Sequence, residues 1–138
     1  MAVDMRGTLM EALGIEAAEI GPDRVVCTMP VDHRTRQPFG FLHGGASLAL
    51  AETAASIGTL ANLDPERELA FGMEINANHL ASVSGGRVTA VAVPLHKGRT
   101  AMVWDIRITD ERGRLVCVSR CTVAVRPRRR EDSAQEAT

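Results

Sequence analysis

Residues 46–61, ASLALAETAASIGTLA, are the segment that most constrains this chain. They are rich in Ala and Leu, lack proline and contain glycine only at position 58, so they predict a helix. A helix this apolar on most of its sides needs deeper burial than an ordinary surface helix. The remaining sequence supplies strands that could enclose it. Residues 70–80, 86–95, 99–109 and 114–125 read as four β runs, separated by the turns SVSGG, LHKG and DERGR. The third run alternates: Met102, Trp104, Ile106 and Ile108 face one way, and Val103, Asp105, Arg107 and Thr109 the other. Period two with short turns indicates an antiparallel sheet.

Ahead of the helix, residues 15–20 and 24–31 read as an extended pair around Gly21–Pro22–Asp23. Residues 4–13 fit a short amphipathic helix ending near Gly14, and DHRTRQPFGFLHGG must be a loop. The expected class is α+β. Wrapping the sheet around the helix is the economical arrangement, though pattern alone does not select it. One domain over residues 1–126 is expected, with a disordered tail at 127–138.

The balance of 16 basic against 17 acidic residues leaves no field that would attract nucleic acid. The cluster Arg126, Arg128, Arg129 and Arg130 runs straight into Glu131 and Asp132 and reads as a solvated tail. With 3% aromatic residues and no Tyr, base-stacking platforms are not expected. The N-terminus is interrupted by Asp4, Arg6 and Glu11, so it has no signal-peptide core, and no stretch approaches the ~20 apolar residues of a membrane span. A cytoplasmic location is the expectation. Cys27, Cys117 and Cys121, an odd number without C-x-x-C spacing, predict packed thiols rather than disulfides or a zinc site. No metal is expected.

Glu52 is the anomaly within the helix, the only ionisable side chain between His43 and Leu63. A carboxylate on a mostly buried helix costs several kcal/mol unless compensated. The alternative, a solvated polar stripe with Thr53 and Ser56, is short and otherwise uncharged. At the start of the helix, LHGGAS places the His43, Gly44 and Gly45 backbone where the helix dipole favours developing negative charge. Gly44 allows a ligand close to the main chain.

Spacing then constrains how the two could cooperate. Gly44 and Glu52 are eight residues apart, about 12 Å along a helix, beyond the reach of a glutamate side chain. If both serve one reaction, Glu52 must meet Gly44 of another subunit across a two-fold axis. Gly45-Ala46-Ser47-Leu48-Ala49 is one residue short of a nucleophile elbow and lacks the strand and parallel sheet such an elbow needs, so Ser47 reads as a small packing residue. No histidine has a partner at metal-ligand spacing; His33 and His96 are expected in loops.

Three motifs in order, QPFGFLHGGASLALAETAASIG, GMEINANHL and GRVTAVAVPLHKGRTAMVWDIRITDERGRLVCVSRCTVAV, resemble the 4-hydroxybenzoyl-CoA thioesterase-like branch of the hotdog superfamily. The likeness covers residues 10–125 and is strongest to the bacterial subgroup containing the enterobactin proofreading and dihydroxynaphthoyl-CoA thioesterases. It implies a hotdog fold, a long helix wrapped by an antiparallel sheet, in dimers or dimers of dimers with sites between subunits. It implies hydrolysis of an acyl-CoA (or an acyl group on a carrier protein), with coenzyme A as part of the substrate and no other cofactor. Carried over, Gln37 and His43 help position the thioester, and Gly44 donates its N–H to the carbonyl. Glu52 acts as nucleophile or general base. Thr53 and Ser56 orient water or line the acyl pocket, and His79 stands near the acyl group. Lys97, Gly98, Arg99 and Thr100 would hold coenzyme A phosphates.

A hotdog hydratase or dehydratase and a non-catalytic acyl-CoA binder are the competing classes, since fold alone does not set function. A free-thiol assay against a hydration assay separates the first; turnover separates the second.

Overall fold

The structure, a computed structural model, describes residues 1–137. In chain order the elements are α1 (Leu9–Leu13), β1 (Glu16–Ile20), β2 (Val25–Pro30), α2 (Gly44–Leu60), β3 (Glu68–His79), β4 (Arg87–Lys97), β5 (Ala101–Thr109), β6 (Leu115–Pro127) and α3 (Arg130–Glu136). The six strands form one antiparallel sheet in the order β1-β2-β4-β5-β6-β3. The extended pair therefore belongs to the same sheet as the four later runs. β3, first of those four in sequence, lies at the far edge beside β6 rather than beside β4.

Two contacts show that α2 runs along β3: Gly44 lies beside His79 and Glu52 beside Gly72. Yet α2 touches all six strands. A helix about 10–12 Å across lying along one edge can reach the other, five spacings or about 24 Å away in a flat sheet, only if the sheet curls around it. This is the wrapped arrangement that the resemblance implies. The core is the inner face: Val25, Cys27 and Met29 of β2, Val88, Ala90 and Ala92 of β4, Trp104, Ile106 and Ile108 of β5, and Cys117, Cys121 and Val123 of β6 close over Leu50, Ala51, Ala54 and Ala55 of α2. Met102, Trp104, Ile106 and Ile108 all point inward, as their alternation predicts.

Gly58 has a packing reason. A Cβ there would meet the Trp104 ring at 2.5–2.9 Å. The fully buried Trp104 indole donates to Thr59 Oγ1 at 2.9 Å, which satisfies its one donor.

Several local expectations need correcting. The N-terminal helix spans only Leu9–Leu13, because Gly7 takes a left-handed φ of 71° and Thr8 caps the first turn behind it. Leu95, His96 and Lys97 belong to β4 rather than to a turn, so His96 is a strand residue; the turn is Gly98 to Thr100. Pro94 is tolerated there because β2 pairs β4 only as far as Ala92, and a bulge follows at Leu95. Where a disordered tail is expected, residues 130–136 form α3. It is held by Arg126, which grips Asp132 through two hydrogen bonds of 2.8 and 2.9 Å. Thr138 lies outside the described residues.

Candidate functional site

The loop before α2 prepares the helix N-terminus. His43 is the N-cap residue, and its Nδ1 accepts from Gly45 N–H at 2.7 Å. Nδ1 must therefore be unprotonated. Helix geometry leaves the first N–H groups without intrahelical acceptors. His43 satisfies one of them; among the described residues no acceptor takes the Gly44 N–H. The helix dipole adds partial positive charge there.

Gly44 opens into a cleft of about 370 Å³, lined with Gln37, Phe41, Ser47, His79 and Leu80 among others. The Gln37 Oε1 faces the backbone N–H groups of Phe39 and Phe41 in its own turn, so its Nε2 hydrogens remain as donors. The His79 ring stands directly over Gly44: a Cβ at position 44 would fall 2.8 Å from His79 Nε2. Any side chain there would displace the histidine. His43 is not in this cleft. Its exposed ring faces a separate groove bordered by Arg34, Arg36 and Ala49, so within this protomer it acts on the cleft through the cap it forms.

Glu52 lies elsewhere. With Thr53 and Ser56 it lines a groove of about 280 Å³ on the side of α2 that the sheet leaves uncovered, together with Val3, Leu9, Met10 and Leu60. The Thr53 hydroxyl is turned back to Ala49 O at 2.6 Å. The Glu52 carboxylate rests against the bare backbone of Gly72 on β3. Sequence reasoning missed Gly72, and its only signal was a glycine inside a strand, which marks a bulge or a close approach. Both hold here, because the β3–β6 register slips between Gly72 and Glu74.

Cys121 lies close enough for charge to matter. Burial first, then the Glu52 and Glu74 carboxylates, push its thiol up to about 12. It stays protonated and cannot compete as a nucleophile. Cys27 is pushed up to about 11 by burial alone.

The HKGRT turn sits at the Glu52 end of the molecule. Lys97 pairs with Met102, Met102 with Val123 and Val123 with Gly72, so Lys97 and Gly72 share one row across the sheet. They are three strand spacings apart, about 14 Å. Lys97 Nζ contacts Asp23 at 2.6 Å, and among the described residues Arg99 has no ion-pair partner. His79 lies on a different row, with Cys117 and Ile108. The structure thus gathers Gln37, Gly44 and His79 at one end, and Glu52, Thr53, Ser56 and the HKGRT turn towards the other.

Among the described residues no group of His, Cys, Asp and Glu could hold a metal ion. Among the described residues no helix is long and apolar enough to cross a membrane.

The chain is similar to known thioesterases. The 1,4-dihydroxy-2-naphthoyl-CoA hydrolase of Listeria monocytogenes is 49% identical over 122 residues, covering 88% of this chain and 98% of that protein. The proofreading thioesterase EntH of Cronobacter turicensis is 52% identical over 120 residues, 86% of each chain. The solved thioesterase SAV0944 of Staphylococcus aureus superposes with a TM-score of 0.84 at 43% identity, covering 86% of this chain and 98% of that one. It has been solved with a glutamine replaced by alanine and, separately, with a glutamate fifteen positions further on replaced by alanine. The thioesterase superfamily matches residues 39–117, which include Gly44, His79 and Glu52. On this match and on these identities, the chain belongs to the thioesterase superfamily.

Proposed function

We propose that this protein hydrolyses acyl-CoA thioesters in a site shared by two copies of the chain. The Gly44 N–H of one copy polarises the thioester carbonyl, and the Glu52 carboxylate of the other supplies the nucleophile or general base. The observation that carries this reading is the separation of the two groups. They open into different hollows of one protomer, eight residues or about 12 Å apart on one helix.

The far edge of the sheet supports a second copy. β3 is twelve residues long and among the described residues has no partner on its outer side; its Phe71 and Met73 are 49% and 62% exposed, and Leu80 just past its end is 56% exposed. A free edge of this kind is a template for another strand. Antiparallel pairing of β3 with its own copy brings the Gly72 end of one protomer towards the His79 end of the other. Glu52 would then approach Gly44 across the two-fold axis. Gln37 and Glu52 also stand fifteen positions apart, the separation of the glutamine and glutamate replaced in SAV0944.

In the proposed reaction, Gly44 N–H and the Gln37 amide hold the carbonyl oxygen, and these preorganised donors gain strength as that oxygen becomes an oxyanion. Glu52 either removes a proton from a water that attacks the carbonyl carbon, or attacks that carbon itself to give a mixed anhydride that water then opens. The C–S bond breaks, the thiolate of coenzyme A leaves and is protonated, and the acid is released. Thr53 and Ser56 line the Glu52 groove, His79 walls the cleft over Gly44, and His43 keeps the N-terminal turn in place. Lys97, Gly98, Arg99 and Thr100 would meet the phosphates of coenzyme A; of the two cations, Arg99 is the one with no ion-pair partner among the described residues. A cytoplasmic location fits a CoA thioester substrate and three free thiols.

Subunit complementation tests the shared site. Glu52→Gln and Gly44→Val should each lower kcat by about 10³-fold. After the two inactive variants are mixed, unfolded and refolded together, mixed dimers carry one intact site in two, so activity should return to about a quarter of wild type. No recovery, with mixed dimers present by mass, would overturn the shared site. Glu52→Gln at wild-type rate would overturn the role of the carboxylate. Oxygen-18 from solvent water in Glu52 after a single turnover would select the anhydride route.

A further inference from the structure

The groove beside Glu52 does not end at Leu60. Val3 and Leu60 also line a second hollow of about 720 Å³, walled by Pro65, Leu69, Ala70 and Phe71 and bounded on its far side by α3. The charged groups around it are engaged with one another or with backbone. Arg126 grips Asp132 and stacks on the Phe71 ring at 5.0 Å. Arg128 pairs with Glu136 at 2.8 Å and donates to Pro65 O at 2.6 Å, while its backbone N–H donates to Arg67 O at 2.8 Å. These bonds tie α3 to the loop that follows α2. An apolar hollow with its polar groups paired suits hydrocarbon.

We propose that this hollow receives the distal part of a medium-chain acyl group, and that α3 is the stop that sets the longest chain accepted. The inference rests on Glu52 being the carboxylate at the thioester. Leu60 lies eight residues beyond Glu52, about 12 Å along α2. An extended alkyl chain advances about 1.3 Å per bond, given C–C bonds near 1.5 Å. Roughly nine or ten carbons therefore reach Leu60, and a few more fit before α3. Each buried methylene contributes about a threefold to fourfold gain in binding.

The test is a kcat/KM series on the full chain with saturated acyl-CoA esters from four to sixteen carbons, plus benzoyl-CoA. Wild type should gain about threefold per methylene up to roughly ten carbons and fall by sixteen. Leu60→Trp narrows the junction of the two hollows and should cut the ten-carbon substrate by about thirtyfold, leaving the four-carbon one within threefold. Asp132→Ala loosens α3 at the surface, so it keeps the test open if the tryptophan variant fails to fold. It should raise the sixteen-carbon substrate about tenfold and leave the four-carbon one unchanged. A flat chain-length profile, or variants that scale every substrate by the same factor, would overturn this inference alone while benzoyl-CoA is still cleaved. If no thioester is cleaved, the hydrolase reading falls with it.

Discussion

Gly72→Ala should disable the enzyme without touching the fold. The added Cβ would lie 2.9 Å from Glu52 Cδ and closer still to Oε1, whereas ordinary contacts begin at 3.4 Å. The neighbour that can yield is the carboxylate, whose Oε1 must move by more than 1 Å. With Glu52 in its proposed role, a displacement of about 1 Å or more at the reacting group costs on the order of 100-fold in rate. The loss should fall on kcat, with KM little changed, because Gly72 itself lines neither the Glu52 groove nor the hollow past Leu60. Stability should hold within about 1 kcal/mol, since alanine is no worse than glycine in an exposed strand position and Gly72 does not use a left-handed backbone. The assay is release of coenzyme A thiol at saturating substrate, beside a urea titration. Buried thiols make the thiol reagent report only product. Glu52→Asp draws the carboxylate back by one methylene, so the Gly72→Ala/Glu52→Asp double variant should lose less than the product of the single losses. Wild-type kcat in Gly72→Ala, or a loss matched by a fall in stability, would refute the positioning argument.

Gly44→Ala should displace His79, because the new Cβ meets its ring at 2.8 Å; kcat/KM should fall about tenfold, and Gly44→Ala/His79→Ala should recover part of it. Gly58→Ala should lower stability in urea by about 1–2 kcal/mol, since crowding the buried Trp104 ring outweighs the better helix propensity of alanine. The thiols predict alkaline destabilisation. Unfolded cysteines ionise near their ordinary value of 9.0, while native Cys27 and Cys121 hold their protons to about 11 and about 12. The unfolded state therefore binds fewer protons between pH 9 and 11, and stability falls as pH rises through that window. Cys27→Ser/Cys121→Ser should flatten the decline in urea midpoints.

The sequence by itself determined the long helix, the six strands and the chemical anomaly. The apolar run around Glu52 dictated a buried helix, alternation at Met102–Ile108 dictated an inward face, and the spacing of Gly44 from Glu52 put the two out of each other's reach on one helix. These are local properties, set by periods of 3.6 and 2 residues and by the rise of a helix. Only the tertiary structure decided that β3 crosses to the far edge beside β6, that Gly72 backs the carboxylate of Glu52, that His79 roofs Gly44, and that α3 closes a hollow past Leu60. Each joins residues twenty or more positions apart. Periodicity states which face a residue presents, but the strand or helix it meets there is chosen by how the whole chain closes around its core.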